Sequence, residues 1–205
     1  MSPAQLGRPI GASGEETRRR LVVATMRCVA QSGYSRATIR EIARTAEVTS
    51  ASLYNYFPNK SELMKAAIAA RTDVALPRLR AAAARPGDVV DRIEAVLDES
   101  GQLMREYPDL AAFEWAIRSE NAAAIGTGLA GGNFQAFREI IEGILADAGG
   151  DLPAGGAVEA IYSLVYGLTE LAATLPPADY QAALGSAKQL VRGTLFARAG
   201  GPPGP

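Results

Sequence analysis

Residues 33–60 read GYSRATIREIARTAEVTSASLYNYFPNK, and this stretch decides the fold. Thr38 followed three positions later by Glu41 is the pattern of a capping box, so a helix starts there. Ile39, Ile42, Ala46, Val48, Leu53 and Tyr56 supply an apolar seam, and the small Ala43 sits where a second helix must cross closely. Thr49 or Ser50 caps that second helix. The spacing predicts helices over about 38–46 and 50–56. A long helix opens near Asn59, where Pro58 and Asn59 give start chemistry. Two short helices joined by a tight turn form a helix-turn-helix, which sets its second helix in the major groove of DNA. A generic αα-corner is the plainer alternative. The cap, the seam, the turn length and the following Tyr-x-Tyr-Phe-Pro-Asn-Lys together favour the DNA reading.

The charge distribution agrees. Residues 1–65 hold ten Lys/Arg and five Asp/Glu, whereas residues 66–205 hold eleven Lys/Arg and seventeen Asp/Glu. A basic front and an acidic back suit a nucleic-acid-binding head on a body that does not touch DNA. The chain is 48% hydrophobic and 21% charged, enough to build a buried core. It has no histidine and one cysteine, which removes His-based catalysis, most zinc sites and any internal disulfide. No apolar run is long enough to span a bilayer and no secretory h-region is visible, so the expected location is cytoplasmic.

At this point the chain resembles the TetR family of transcriptional regulators. The resemblance runs through Gly33-Tyr34, Thr38-Ile39-x-x-Ile42-Ala43, Val48-Thr49 and Leu53-Tyr54-x-Tyr56-Phe57-x-x-Lys60, and covers about residues 17–66. It implies a homodimer on a palindromic operator in double-stranded DNA, released by a small-molecule effector, with repression the usual outcome. By position it gives Thr49, Ser50, Ala51 and Asn55 the groove-facing side of the second helix. Asn55 has the donor–acceptor pair that reads adenine, and Ala51 suits a thymine methyl. Thr38, Ser52, Tyr54, Tyr56 and Lys60 fall at phosphate-contact positions, the two tyrosines alternatively serving as core aromatics. Arg8 in the N-terminal arm reaches an adjacent minor groove or is simply solvated. Glu47 departs from the family, which has glycine at the turn; a left-handed backbone there costs roughly 1–2 kcal/mol for any other residue.

The expected architecture is all-α, with about nine helices. Residues 1–14 read as a flexible arm, 15–66 as the DNA-binding domain, 67–198 as a helical ligand-binding and dimerisation domain, and 199–205 as a disordered tail. The first helix runs from Glu15 to Gln31, and Pro77 is expected to kink or end the long helix opening at Asn59. Further helices are expected over 88–105, 108–121, 134–148, 158–175 and 180–197, with the glycines of 122–133 marking a loop or broken helix. In the resemblance the last two helices build the dimer. Val158, Ile161, Val165 and Leu168 form one apolar stripe, and Leu184, Val191 and Leu195 lie on a second; they face either a partner or the protomer's own core. The helix after Pro108 is apolar on two sides, with Phe113 on one and Trp115 nearly opposite. Trp115, with Met104, Tyr107, Phe113, Phe134 and Phe137, either lines a pocket for an apolar or amphipathic effector or fills the core. Glu114 and Arg118 are spaced to form a surface pair.

No cofactor, metal or membrane partner is expected. An enzyme and a dimeric helical adaptor are the alternatives from other classes, and the absence of histidine and of clustered carboxylates speaks against the first.

Overall fold

In the computed structural model, residues 10–119, 129–147 and 156–193 are described. Among them there are helices and no strands. The order is α1 (Ile10–Ser32), α2 (Ile39–Thr45), α3 (Ser50–Tyr54), α4 (Lys60–Ala83), α5 (Val89–Glu106), α6 (Pro108–Ser119), α7 (Leu129–Ala146), α8 (Ala157–Thr174) and α9 (Pro177–Val191).

Local chemistry sets these boundaries. Thr38, Thr49 and Asn59 lie in extended backbone, and their side chains accept from the N–H groups of Glu41, Ser52 and Glu62 at 3.1, 3.0 and 2.9 Å. Each satisfies one of the orphan donors that open a helix. Asp88 and Asp91 close a reciprocal capping box at the start of α5. Gly33, at φ 81°, ends α1 and donates its N–H to Val29 O at 2.8 Å.

The helices enclose two cores. In the head, Leu21, Val29, Ile42, Leu53, Leu63 and Met64 come from α1 to α4 and are fully buried. Phe113, Ala116 and Ile117 join them from α6. In the body, Leu79, Val96, Leu97, Leu103, Ile141 and Ile144 are buried together with the inner faces of α8 and α9. Two helices therefore run through both cores. α4 buries Leu63 to Ile68 in the head and Leu79 to Ala83 in the body, while α6 gives Phe113 to the head and Leu110 to the body.

Several expectations change. α1 begins at Ile10, so residues 10–14 of the expected arm are helical. α4 continues through Pro77 to Ala83, so Pro77 does not end it, though a kink there stays compatible; burial of Leu79, Ala82 and Ala83 against the body core offsets the lost backbone hydrogen bond. α7 starts at Leu129 and takes Gly131 and Gly132 into its first turn, unlike the expected loop, whose earlier part is residues 122–128. That part lies outside the described residues, as do Arg8, Leu195 and the tail. The dimer stripes point inward: Val158, Ile161, Val165, Leu168 and Leu184 are buried, and Val191 is partly buried, in the protomer's own core. A surface already desolvated by its own chain has little left to give a second copy, so these residues are corrected from interface to core.

The acidic charge of the body is partly spent on cross-links. Lys188 of α9 pairs with Asp98 of α5 at 2.7 Å, and Arg192 donates to Glu94 at 2.9 Å. Arg78 of α4 bridges Glu99 at 2.6 Å and Glu106. Hydrogen bonding from Arg78 holds the Glu106 carboxyl down to about 2. A carboxyl depressed in the folded state stabilises above its unfolded value near 4.5, and that contribution is lost as pH falls towards 2. Arg78→Gln is therefore expected to flatten the fall of unfolding free energy between pH 4.5 and 2. Urea titrations at several pH values measure that slope.

Candidate nucleic-acid interface and body cavity

α2 and α3 pack at the tip of the head, with Leu53 of α3 fully buried and Val48 half-buried between them. Anchored by Leu53, α3 turns its other side outward. Thr49, Ala51, Tyr54 and Asn55 are exposed, Tyr54 at 53%, and Ser50 and Ser52 are half-buried. Exposure of a tyrosine to that degree has no packing reason, which puts Tyr54 on the outer face and not among the core aromatics. Tyr56 is half-buried against the head core, so it follows its alternative reading more closely. Asn55 is the C-cap of α3, at the far end from the N-terminal turn. Thr38 is exposed at the start of α2, and Arg40 and Arg44 are exposed along it. Neither arginine has an ion-pair partner among the described residues, which leaves two charges directed at whatever the head meets.

Lys60 sits differently from its expected role. Its ammonium donates to the Tyr34 carbonyl, lies 3.4 Å from the Ser35 carbonyl, and stacks 4.2 Å from the centroid of the Tyr34 ring. It ties the start of α4 to the loop between α1 and α2. A contact to phosphate has to compete with these interactions. Arg18, by contrast, lies over the ring of Phe57 at 5.1 Å, and Arg19 is paired with Glu16 at 2.8 Å.

The turn carries the strain that its sequence foretells. Glu47 has φ 56°, the one non-glycine positive φ among the described residues. The adjoining Val48 N–H donates to Ala43 O at 2.9 Å, so the turn closes despite the side chain. The carboxylate lies 3.8 Å from Arg20, and an exposed pair of that length contributes little. Glu47→Gly is expected to raise stability by about 1 kcal/mol, read as a shift in the chemical-denaturation midpoint.

The body holds a cavity of about 90 Å³ between α4, α5, α6, α7 and α8. Leu76, Leu79, Leu103, Met104, Leu110, Phe137, Tyr162 and Val165 give it apolar walls. One charged pair stands in this wall: Arg71 of α4 pairs with Glu114 of α6, with side chains only 6% and 10% exposed. Glu114 is therefore not a surface partner of Arg118. The signal was present in the sequence. Arg71 interrupts the stripe Met64, Ala67, Ile68, Ala75 and Leu79, and Glu114 interrupts Leu110 and Ile117, so each helix carries one charge of opposite sign on its apolar face.

Of the residues expected around a pocket, Met104 and Phe137 line the cavity. Phe113 does not; it is completely buried in the head core because α6 turns that side towards α1. Tyr107 is 46% exposed at the end of α5, away from the cavity. Trp115 is half-buried beside the C-terminal end of α1, edge-on to Tyr166 of α8 at 6.0 Å, and belongs to the joint between head and body. The side chain of Phe134 lies outside the described residues.

Residues 21–67 match the family model described as bacterial regulatory proteins, tetR family. The transcriptional regulator SrpR of Pseudomonas putida is 38% identical over 66 residues, which are 32% of this chain and 31% of SrpR. The transcriptional repressor KstR of Mycolicibacterium smegmatis is 27% identical over 127 residues, 62% of this chain and 61% of KstR. The chain thus spans less than two thirds of either relative. Among solved structures, the regulator FadR of Bacillus subtilis in complex with stearoyl-CoA superposes with a TM-score of 0.67 at 17% identity, covering 87% of this chain and 97% of that one.

Proposed function

We propose, on the premise that residues 21–67 form a TetR-family DNA-binding head, that the chain is a cytoplasmic, homodimeric transcriptional repressor whose operator affinity falls when a small effector enters the body cavity. The observation that carries this reading is the sharing of α4 and α6 between the two cores. Filling a cavity walled by both helices displaces at least one of them, and neither moves in the body without moving in the head. The effector acts by favouring one of two head arrangements over the other. In the solved FadR neighbour the bound molecule joins a long apolar chain to a polar carrier. An apolar wall with one buried ion pair suits an amphipathic ligand of that general kind.

DNA is read by the outer face of α3. Ala51 and Asn55 meet bases, while Thr38, Thr49, Ser52 and Tyr54 meet phosphates. Arg40 and Arg44 add attraction without sequence preference. On a palindromic duplex selected from genomic DNA with the purified protein, Asn55→Ala is expected to lower affinity and relax preference at one base position per half-site. Arg44→Ala should weaken all sequences alike and reduce the salt slope by about 1 per head. Equal loss from both variants on every sequence would contradict this division of roles.

The dimer is assigned to the outer faces of α8 and α9. Away from the buried stripes stand Ala160, Leu164 and Gly167 on α8, and Ala182, Gly185, Ser186 and Gln189 on α9. A Cβ built on Gly167 or Gly185 meets nothing within 4 Å in the protomer, so these glycines have no packing duty inside it. Close approach of a second copy gives them one. Gly167→Arg is expected to leave the helical circular-dichroism spectrum unchanged and to yield monomers in sedimentation experiments, with operator affinity reduced at least tenfold.

A further inference from the structure

We infer that the ligand of the body cavity carries a carboxylate, and that this carboxylate replaces Glu114 on Arg71. The inference rests on the effector reading of the cavity.

Arg71 cannot shed its charge, and it is buried in a wall that is otherwise apolar apart from Glu114 and a few hydroxyls. It needs an anion in every state of the protein. Its planar guanidinium presents five donors in a fork that matches a carboxylate. Glu114 engages Nη1, and Thr72 Oγ1 lies 3.5 Å from Nη2. Arg71 is the sole cation among the described lining residues.

The three possible charges of an apolar ligand then have different consequences. A neutral molecule fills space and leaves the ion pair as it was. An amine brings a second cation beside Arg71 and pays like-charge repulsion in a water-poor site. A carboxylate likewise brings a second anion beside Glu114, but a displaced carboxyl can take up a proton and stay buried neutral, whereas a displaced guanidinium cannot, so exchange is open to an anion on Arg71 and Glu114 gives way. That exchange converts a tie between α4 and α6 into a tie between α4 and the ligand. α6 is thereby released at Glu114, immediately beside Phe113, which is anchored in the head core. The anionic ligand uncouples the two helices at the point where they enter the head, which a neutral ligand of the same shape does not do.

The test is calorimetric titration of the full-length protein with decanoate, decanol and decylamine below their aggregation concentrations. Trp115, the chain's single tryptophan, gives an independent fluorescence signal at the joint. The expected result is decanoate binding at least tenfold tighter than decanol, with decylamine weakest. Glu114→Gln removes the competitor and should tighten decanoate at least tenfold while leaving decanol unchanged. In the charge-free double variant Arg71→Met/Glu114→Gln, the two ligands should bind alike; this variant leaves no unpaired charge buried and guards against misfolding of a single one. Equal affinity for decanoate and decanol in the unaltered protein overturns the carboxylate assignment and leaves the effector reading intact. Retention of the decanoate preference by the double variant also overturns it. Binding of none of the three ligands overturns the carboxylate inference and the effector reading together, whereas operator binding by the head is measured separately and is untouched.

Discussion

The buried ion pair between Arg71 and Glu114 sits at the level where α4 and α6 pass from one core into the other. Such a pair is expensive to desolvate. Removing one partner typically costs about 3–5 kcal/mol, yet replacing both by apolar residues is often neutral or stabilising. Stability alone therefore does not explain the pair. What it provides is a defined registration of two helices that a change in the body can make or break. Below it, Leu63, Met64, Phe113 and Ile117 lock both helices into the head; above it, Leu79 and Leu110 lock them into the body. Close-packed cores transmit displacement because they do not deform continuously.

The head itself is built for positioning more than for base readout. α3 is five residues long and its outward side chains are small, apart from Tyr54 and Asn55. Few base contacts per head place the burden of specificity on phosphate contacts, DNA shape and the distance between two heads. In the proposed dimer that distance is set by the pairing of two copies, and through α4 and α6 by the state of the cavity. The strained turn at Glu47 and the internal use of Lys60 both concern how the head is held, not what it reads.

Much of this was legible in residues 33–60, because caps, seam and turn are local features with short-range causes. Thr38, Thr49 and Asn59 cap as their side-chain chemistry requires, and the left-handed turn falls at Glu47. The body was legible as helices but not as surfaces. Periodicity places Val158, Ile161, Val165 and Leu168 on one face without saying what covers that face, and the protomer's own core covers it. The same ambiguity holds for Phe113 and Trp115: helical spacing shows that α6 is buried on two sides, not which side meets which core. Spacing pairs Glu114 with Arg118 whereas it meets Arg71, because a charge on an apolar stripe takes its meaning from a partner on another helix. Pro77 does not end α4, because burial of Leu79, Ala82 and Ala83 outweighs the local breaking tendency.

The central claim is that this molecule distinguishes one DNA sequence from another through α3 and the spacing of two heads. Fluorescence anisotropy measures it most directly, comparing a palindromic duplex selected from genomic DNA with a scrambled duplex of equal length and composition at moderate salt. A preference for the selected duplex of about a thousandfold or more is expected. Equal affinity for the two duplexes, with the same salt dependence, would contradict it.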